Sequence, residues 1–171
     1  MIHNPYRIRW QNYRPFKDTG WLTLKPLTII LGPNNSGKSS LVYPFLLLNQ
    51  TLVSRDSTTP LITRGPLIDS GTFKDILYRH DDNVDLSFSF DFHTHDITNE
   101  TQQVGRYPPG GIQLIFGSGN EDNSVLLKKF EVTDVYRRSY LKKTLTSGEN
   151  FRTFGNFMNK SLKKNERKSI K

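Results

Sequence analysis

Cysteine is absent from all 171 residues of the chain, which excludes disulfides, thiolate metal sites and cysteine nucleophiles. Long apolar runs are missing too. The longest, Leu41 to Leu48, is interrupted by Pro44 and falls well short of the ~20 residues that cross a bilayer. The opening residues, Met1-Ile2-His3-Asn4-Pro5-Tyr6, contain no apolar segment of the secretory kind. A reducing, cytoplasmic setting with no membrane partner is therefore expected. Acidic residues are in the minority, 16 against 24 Lys and Arg, for a net charge of +8. Much of the excess is local, because six of the basic residues lie between Lys160 and Lys171, where Glu166 is the only acid. Such a run reads either as a solvated tail or as a contact for a polyanion such as DNA. The length suits about one domain.

Against this plain background one segment stands out. Gly32-Pro33-Asn34-Asn35-Ser36-Gly37-Lys38-Ser39 is a full match to the phosphate-binding pattern G-x-x-x-x-G-K-[ST]. Each fixed position has its own physical task. The glycines let the backbone curl until successive N–H groups converge on an anion, and Lys38 carries a point charge toward the β- and γ-phosphates. Ser39 offers a hydroxyl to Mg²⁺, and a helix starting there directs its positive end at the same phosphates. Gly32, Asn34, Asn35, Ser36, Gly37 and Lys38 are thus expected to cradle the phosphates, with Ser40 on the α-phosphate side. The plain alternative is a Gly/Asn/Ser turn that happens to contain a lysine.

The flanks favour the functional reading. Pro26-Leu27-Thr28-Ile29-Ile30-Leu31 is a short apolar, β-branched run, expected as a buried strand. Ser39-Ser40-Leu41-Val42 and Phe45-Leu46-Leu47-Leu48 read as a buried helix, with Pro44 removing a backbone donor in its second turn. Two further strands are expected before the loop, Tyr6 to Gln11 and Trp21 to Leu24, separated by a polar turn over Lys17-Asp18-Thr19-Gly20. Beyond it, Ser70 or Thr72 is a candidate cap for a short helix. Asp85 to His95 alternates, with Leu86, Phe88, Phe90 and Phe92 on one face and polar residues on the other. That pattern predicts a strand with one solvated face. More strands are expected at Ile112 to Phe116, Val125 to Thr133 and Tyr136 to Leu145, and Phe151, Phe154, Phe157, Met158 and Leu162 recur at helical spacing. The expected organisation is a P-loop unit over 1–53, a connector over 54–82, an antiparallel β subdomain with a terminal helix over 83–160, and a basic tail over 161–171. The expected fold class is α/β, a P-loop NTPase N-terminal unit joined to that β subdomain.

The segment Asn12-Tyr13-Arg14-Pro15-Phe16-Lys17, followed by Leu-Thr-Ile-Ile-Leu-Gly-Pro-Asn-Asn-Ser-Gly-Lys-Ser-Ser-Leu from Leu27 to Leu41, resembles a known family. It is similar to the N-terminal part of prokaryotic ABC-type ATPases related to RecF, the SMC heads and the overcoming-lysogenisation-defect nucleases. Leu46 to Thr51 and Gly71 to Asp75 also resemble that family's connectors. The resemblance implies ATP rather than GTP, Mg²⁺ as the metal, and Arg14 beside the bound nucleotide, where a structural salt bridge is the competing role. It also implies a partner subunit, or the second half of the ATPase, and a DNA-repair or phage-defence setting.

The departures from that family are informative. Its ATPases also use a Q-loop glutamine, a signature motif, a switch histidine and an apolar strand ending in Asp-Glu, whose carboxylates hold Mg²⁺ and orient the attacking water. No apolar run in this chain ends in Asp-Glu. Leu145-Thr146-Ser147-Gly148-Glu149 resembles the signature but reads better as a turn. Gln50, Gln102, Gln103 and Gln113 each fail the required strand-to-helix context. His93 and His95 with Asp91 have chelating spacing, although the polar face of a strand explains them as well. Asn159-Lys160-Ser161-Leu162 fails the guanine-recognition pattern at its fourth position. Three functions follow in order: an ABC-type ATPase part that binds Mg·ATP without turning it over alone, a non-catalytic basic module that binds DNA or a partner, and a small P-loop kinase.

Overall fold

Aromatic and aliphatic residues spaced two apart dominate the computed structural model, which describes residues 5–54, 59–92, 109–119, 124–134 and 139–144. They build one antiparallel sheet. Its strands are β1 (Pro5–Tyr13), β2 (Phe16–Asp18), β3 (Leu22–Thr23), β4 (Leu86–Phe92), β5 (Pro109–Ser118), β6 (Val125–Asp134) and β7 (Ser139–Thr144). The path runs β2-β1-β4-β5-β6-β7, with β3 also paired to β1. One long helix, α1 (Lys38–Val53), lies against it, and a single-turn helix, α2 (Phe73–Ile76), leads into a 3₁₀ turn at Tyr78–His80.

The sheet and helix meet at a cluster of rings. Trp10 on β1 lies opposite Phe88 on β4, with ring centroids 5.3 Å apart. It also touches Phe90 at 5.3 Å and Phe45 of α1 at 5.5 Å, all edge to face, the arrangement that ring quadrupoles favour. Its indole N–H donates to the Leu41 carbonyl of α1 at 3.0 Å. Phe88 extends the cluster to Tyr13 at 5.6 Å and to Phe116 at 6.0 Å. Trp10, Tyr13, Phe88 and Phe116 are all fully buried.

The expected α/β P-loop fold is not formed. The described sheet is antiparallel throughout, and the run Pro26 to Leu31, expected as the buried strand feeding the loop, belongs to no strand. Leu27, Ile29, Ile30 and Leu31 are exposed, Leu31 by 87%. The reason is a shortage of neighbours. A parallel strand needs partners on its edges and layers on both faces, whereas β1 takes β2, β3 and β4 as its partners. Two smaller expectations also change. Lys17 and Asp18, expected in a turn, pair with β1 as part of β2, and the reversal falls at Arg14-Pro15 instead.

The second change concerns β4. Its apolar alternation is present, but its polar face is not solvated: Ser87, Ser89 and Asp91 are buried as well. β4 lies between β1 and β5, and their longer side chains flank its serines, Arg9 and Gln113 beside Ser89 and Gln11 beside Ser87. Asp91 is held by the Arg7 guanidinium, whose Nε donates at 2.9 Å. On the expected terminal helix over 151–162, Leu145 to Glu149, His93, His95, Gln102, Gln103 and the basic tail, the structure is silent, since all lie outside the described residues. No helix among the described residues is long and apolar enough to cross a membrane.

Truncating Phe88 removes the ring that joins Trp10, Tyr13 and Phe116. Phe88→Ala should lower unfolding free energy by about 3–5 kcal/mol, while Leu31→Ala, at an exposed position, should change it by about 0.5 kcal/mol or less. Urea denaturation of both variants checks this. A second measurement concerns pH. A hydrogen bond from the Arg9 guanidinium, reinforced by its charge, the Gly20 N–H and Gln11, holds the Asp18 carboxyl down to about 2. A carboxyl depressed on folding contributes stability above its unfolded value of about 3.9, and loses it as pH falls toward the folded value. The stability gap between the native chain and Asp18→Asn should therefore be constant at neutral pH. It should close progressively as pH falls from about 4 to about 2.

Candidate nucleotide site

The 32–39 loop forms a turn and opens directly into α1. Asn35, at φ 63°, and Gly37, at φ 85°, take the left-handed backbone that the curl requires. Gly37 is needed twice over, because a Cβ there would come within 2.8 Å of Pro15 and 2.9 Å of Phe16. The Arg14-Pro15 reversal therefore packs against the loop's last glycine. Lys38 folds back over the loop, its Nζ donating to the carbonyls of Gly32 at 2.8 Å and Pro33 at 2.6 Å. An ammonium has three N–H donors, so one remains for an anion at the loop's mouth.

The start of α1 lies beside this lysine. Gly37 caps it without a side-chain hydrogen bond, and its first turn holds no acidic residue. The first N–H in the helical ladder is that of Leu41, which donates to the Gly37 carbonyl at 3.2 Å. The donors ahead of it are the ones a helix leaves unmatched, and with the helix dipole they favour an anion.

These elements form one wall of a cavity of about 850 Å³, a volume that takes a whole small ligand rather than a lone anion. Of the residues expected from sequence, Arg14, Asn34, Asn35, Gly37, Lys38, Ser39 and Ser40 all line it. Gly32 and Ser36 do not. Gly32 contributes its carbonyl to Lys38, and Ser36 closes the turn with an N–H to the Pro33 carbonyl at 3.4 Å.

A second wall comes from residues that the sequence reading did not place in the site: Ser70, expected there only as a helix cap, with Asp75, Leu77, Arg79 and His80; Tyr43 of α1 also lines the cavity. Backbone contacts join the walls. The Arg14 N–H donates to the Ile76 carbonyl at 2.9 Å, and Tyr13 forms a bridge with Leu77. Arg14 lies over the Tyr43 ring at 5.4 Å, and one of its terminal nitrogens approaches the Ser70 carbonyl at 3.5 Å. No ion pair of Arg14 is present among the described residues, so its expected salt-bridge role does not appear. Asp75 is the carboxylate of this cavity, and it is already engaged. It accepts from the Thr72 N–H at 2.7 Å and the Thr72 hydroxyl at 2.8 Å in a capping box, which holds its pKa below the usual range. Of the two caps expected from sequence, Ser70 and Thr72, Thr72 is the one in place; Arg79 and His80 carried no signal.

Gln50 has a structural role. It is buried, donates to the Ile62 carbonyl at 2.7 Å and accepts from the Ile68 N–H at 3.1 Å, which ties the 61–69 segment to the end of α1. Gln113 is likewise occupied, by the Lys129 ammonium at 3.0 Å. Among the described residues no group of three His, Cys, Asp or Glu side chains could hold a metal. The Ser39 hydroxyl would hold a hard cation together with oxygens brought by the ligand, phosphate and water oxygens being usual partners of Mg²⁺. Compared with known proteins, the chain matches no family model and no curated protein.

Two of the positive-φ glycines, Gly20 and Gly37, separate strain from contact. Gly20, at φ 64°, has nothing within 4 Å of a Cβ, whereas Gly37 meets Pro15 and Phe16. Gly20→Ala should therefore cost about 1 kcal/mol for its backbone alone. Gly37→Ala should cost more, by about 1–3 kcal/mol, because overpacking is added. Thermal and urea unfolding of the two variants measure the difference.

Proposed function

We propose that this chain binds Mg·ATP at the 32–39 loop and does not turn it over by itself. The observation that carries the reading is the Lys38 ammonium, anchored by the Gly32 and Pro33 carbonyls beside a helix start that has no side-chain cap. Such a site supplies ground-state binding: a cation, converging N–H groups and, in Ser39, one hydroxyl for the metal. Bound Mg²⁺ would neutralise phosphate charge there. Turnover asks for interactions made only in the transition state, among them a group that orients water. Asp75, the carboxylate within reach, is committed to Thr72.

The resemblance to the RecF- and SMC-type ATPases supports ATP as the nucleotide and a cytoplasmic setting. It also supports a partner subunit, or a second half of the enzyme, that brings the missing signature and carboxylates. The exposed run Leu27, Ile29, Ile30 and Leu31, adjoining the loop, supports the same idea, because contiguous exposed aliphatic surface marks an interaction site.

Isothermal calorimetry and a phosphate-release assay on one preparation test the proposal. The native chain should bind Mg·ATP and release essentially no phosphate. Lys38→Ala should abolish binding, and Ser39→Ala should weaken it chiefly when Mg²⁺ is present. Hydrolysis that disappears with Lys38 would reveal a catalytic carboxylate in this chain. No binding at all would return the loop to a structural turn.

A further inference from the structure

The cavity is much larger than an anion cradle needs, and its far wall has features that the P-loop reading does not use. Five non-glycine residues among those described have left-handed backbone: Asn12, Arg14, Asn35, Arg79 and His80. All but Asn12 line this one cavity. Held backbone strain of this kind concentrates where a ligand is gripped.

Two observations point to what the far wall grips. First, Ser70 is 5% exposed and lines the cavity, yet its hydroxyl has no hydrogen-bond partner; the buried Nε of Arg14 beside it has none either. Buried polar atoms left unmatched are rare; the Tyr13 hydroxyl is a third, near enough to feel the Arg14 guanidinium, while the Ser70 hydroxyl and the Arg14 Nε offer an acceptor–donor group and an N–H donor to a polar ligand. Second, the Arg79 guanidinium lies over the Tyr78 ring at 5.2 Å while also lining the cavity. A guanidinium backed by an aromatic ring has a second flat face, and such planes stack on nucleobases.

We propose that the 70–80 segment is the nucleoside side of the site. Arg79, steadied on Tyr78, is the stacking platform for the base, and the Ser70 hydroxyl with the Arg14 Nε supplies hydrogen bonds to the nucleoside. The ligand is then a nucleoside triphosphate and not a polyphosphate alone. This rests on the reading of the 32–39 loop as the phosphate cradle, and goes beyond it by assigning the opposite wall.

Calorimetry with two probes, Mg·ATP and Mg-bound inorganic tripolyphosphate, separates the two claims. The native chain should bind ATP more tightly. Arg79→Ala should weaken ATP binding about tenfold, the scale of one stacked base, and leave tripolyphosphate affinity unchanged, which also shows that the variant is folded. Arg79→Lys keeps the charge without the plane and should behave like Arg79→Ala. Ser70→Ala should weaken ATP alone. Recovery of ATP binding in Arg79→Lys, or an equal loss for both probes, would make Arg79 a phosphate cation and overturn the proposal. Unchanged ATP affinity in Arg79→Ala would overturn it as well. If the native chain bound neither probe, the loop reading would fall and this assignment with it, whereas failure confined to the Arg79 and Ser70 variants would leave the loop reading standing.

Discussion

Trp10 is the residue on which the arrangement of this protein turns. It sits on β1, fully buried, with rings from β4 and α1 against it and its indole N–H on the Leu41 carbonyl. Aromatic pairs of this geometry add about 0.5–1.5 kcal/mol beyond the area they bury, but their larger effect is directional. An indole that is anchored by rings on one side and by a hydrogen bond on the other fixes where α1 lies on the sheet. Since α1 begins at Lys38, the same contact decides where the loop lysine and the helix's free N–H groups are held.

The cavity is then assembled by backbone. The chain leaving β1 reverses at Arg14-Pro15, and that reversal does two things at once. Pro15 and Phe16 close on Gly37, and the Arg14 N–H reaches the Ile76 carbonyl. One short corner thereby ties the 32–39 loop to the end of α2. The left-handed residues at Arg14, Arg79 and His80 carry a conformational cost of about 1–3 kcal/mol each, which the buried packing of Tyr13, Ile76 and Leu77 beneath them can offset.

A run of large aliphatics directly before the loop stands in solvent, while the loop it feeds is closed by hydrogen bonds through Lys38. Local preference at 26–31 asks for a buried strand, and the described fold offers that segment no sheet neighbour. Such a conflict between local pattern and global fold is expected at sites of function or assembly.

Features that depend on local chemistry could be read from the chain alone. The loop motif, the onset of α1, Thr72 as one of two candidate caps, and the strands β1, β4, β5 and β6 were legible because a spacing of two, a glycine pattern or a cap residue acts within a few residues. Tertiary structure decided what depends on partners distant in the chain. It denied Pro26 to Leu31 a place in the sheet, and so replaced the expected α/β core with an antiparallel one. It buried the serine face of β4, because flanking strands supply side chains long enough to cover it. It also brought Ser70, Arg79 and His80 into one cavity with Lys38 across more than thirty residues of chain, a juxtaposition made by the Arg14–Ile76 and Tyr13–Leu77 backbone contacts, for which no local pattern exists.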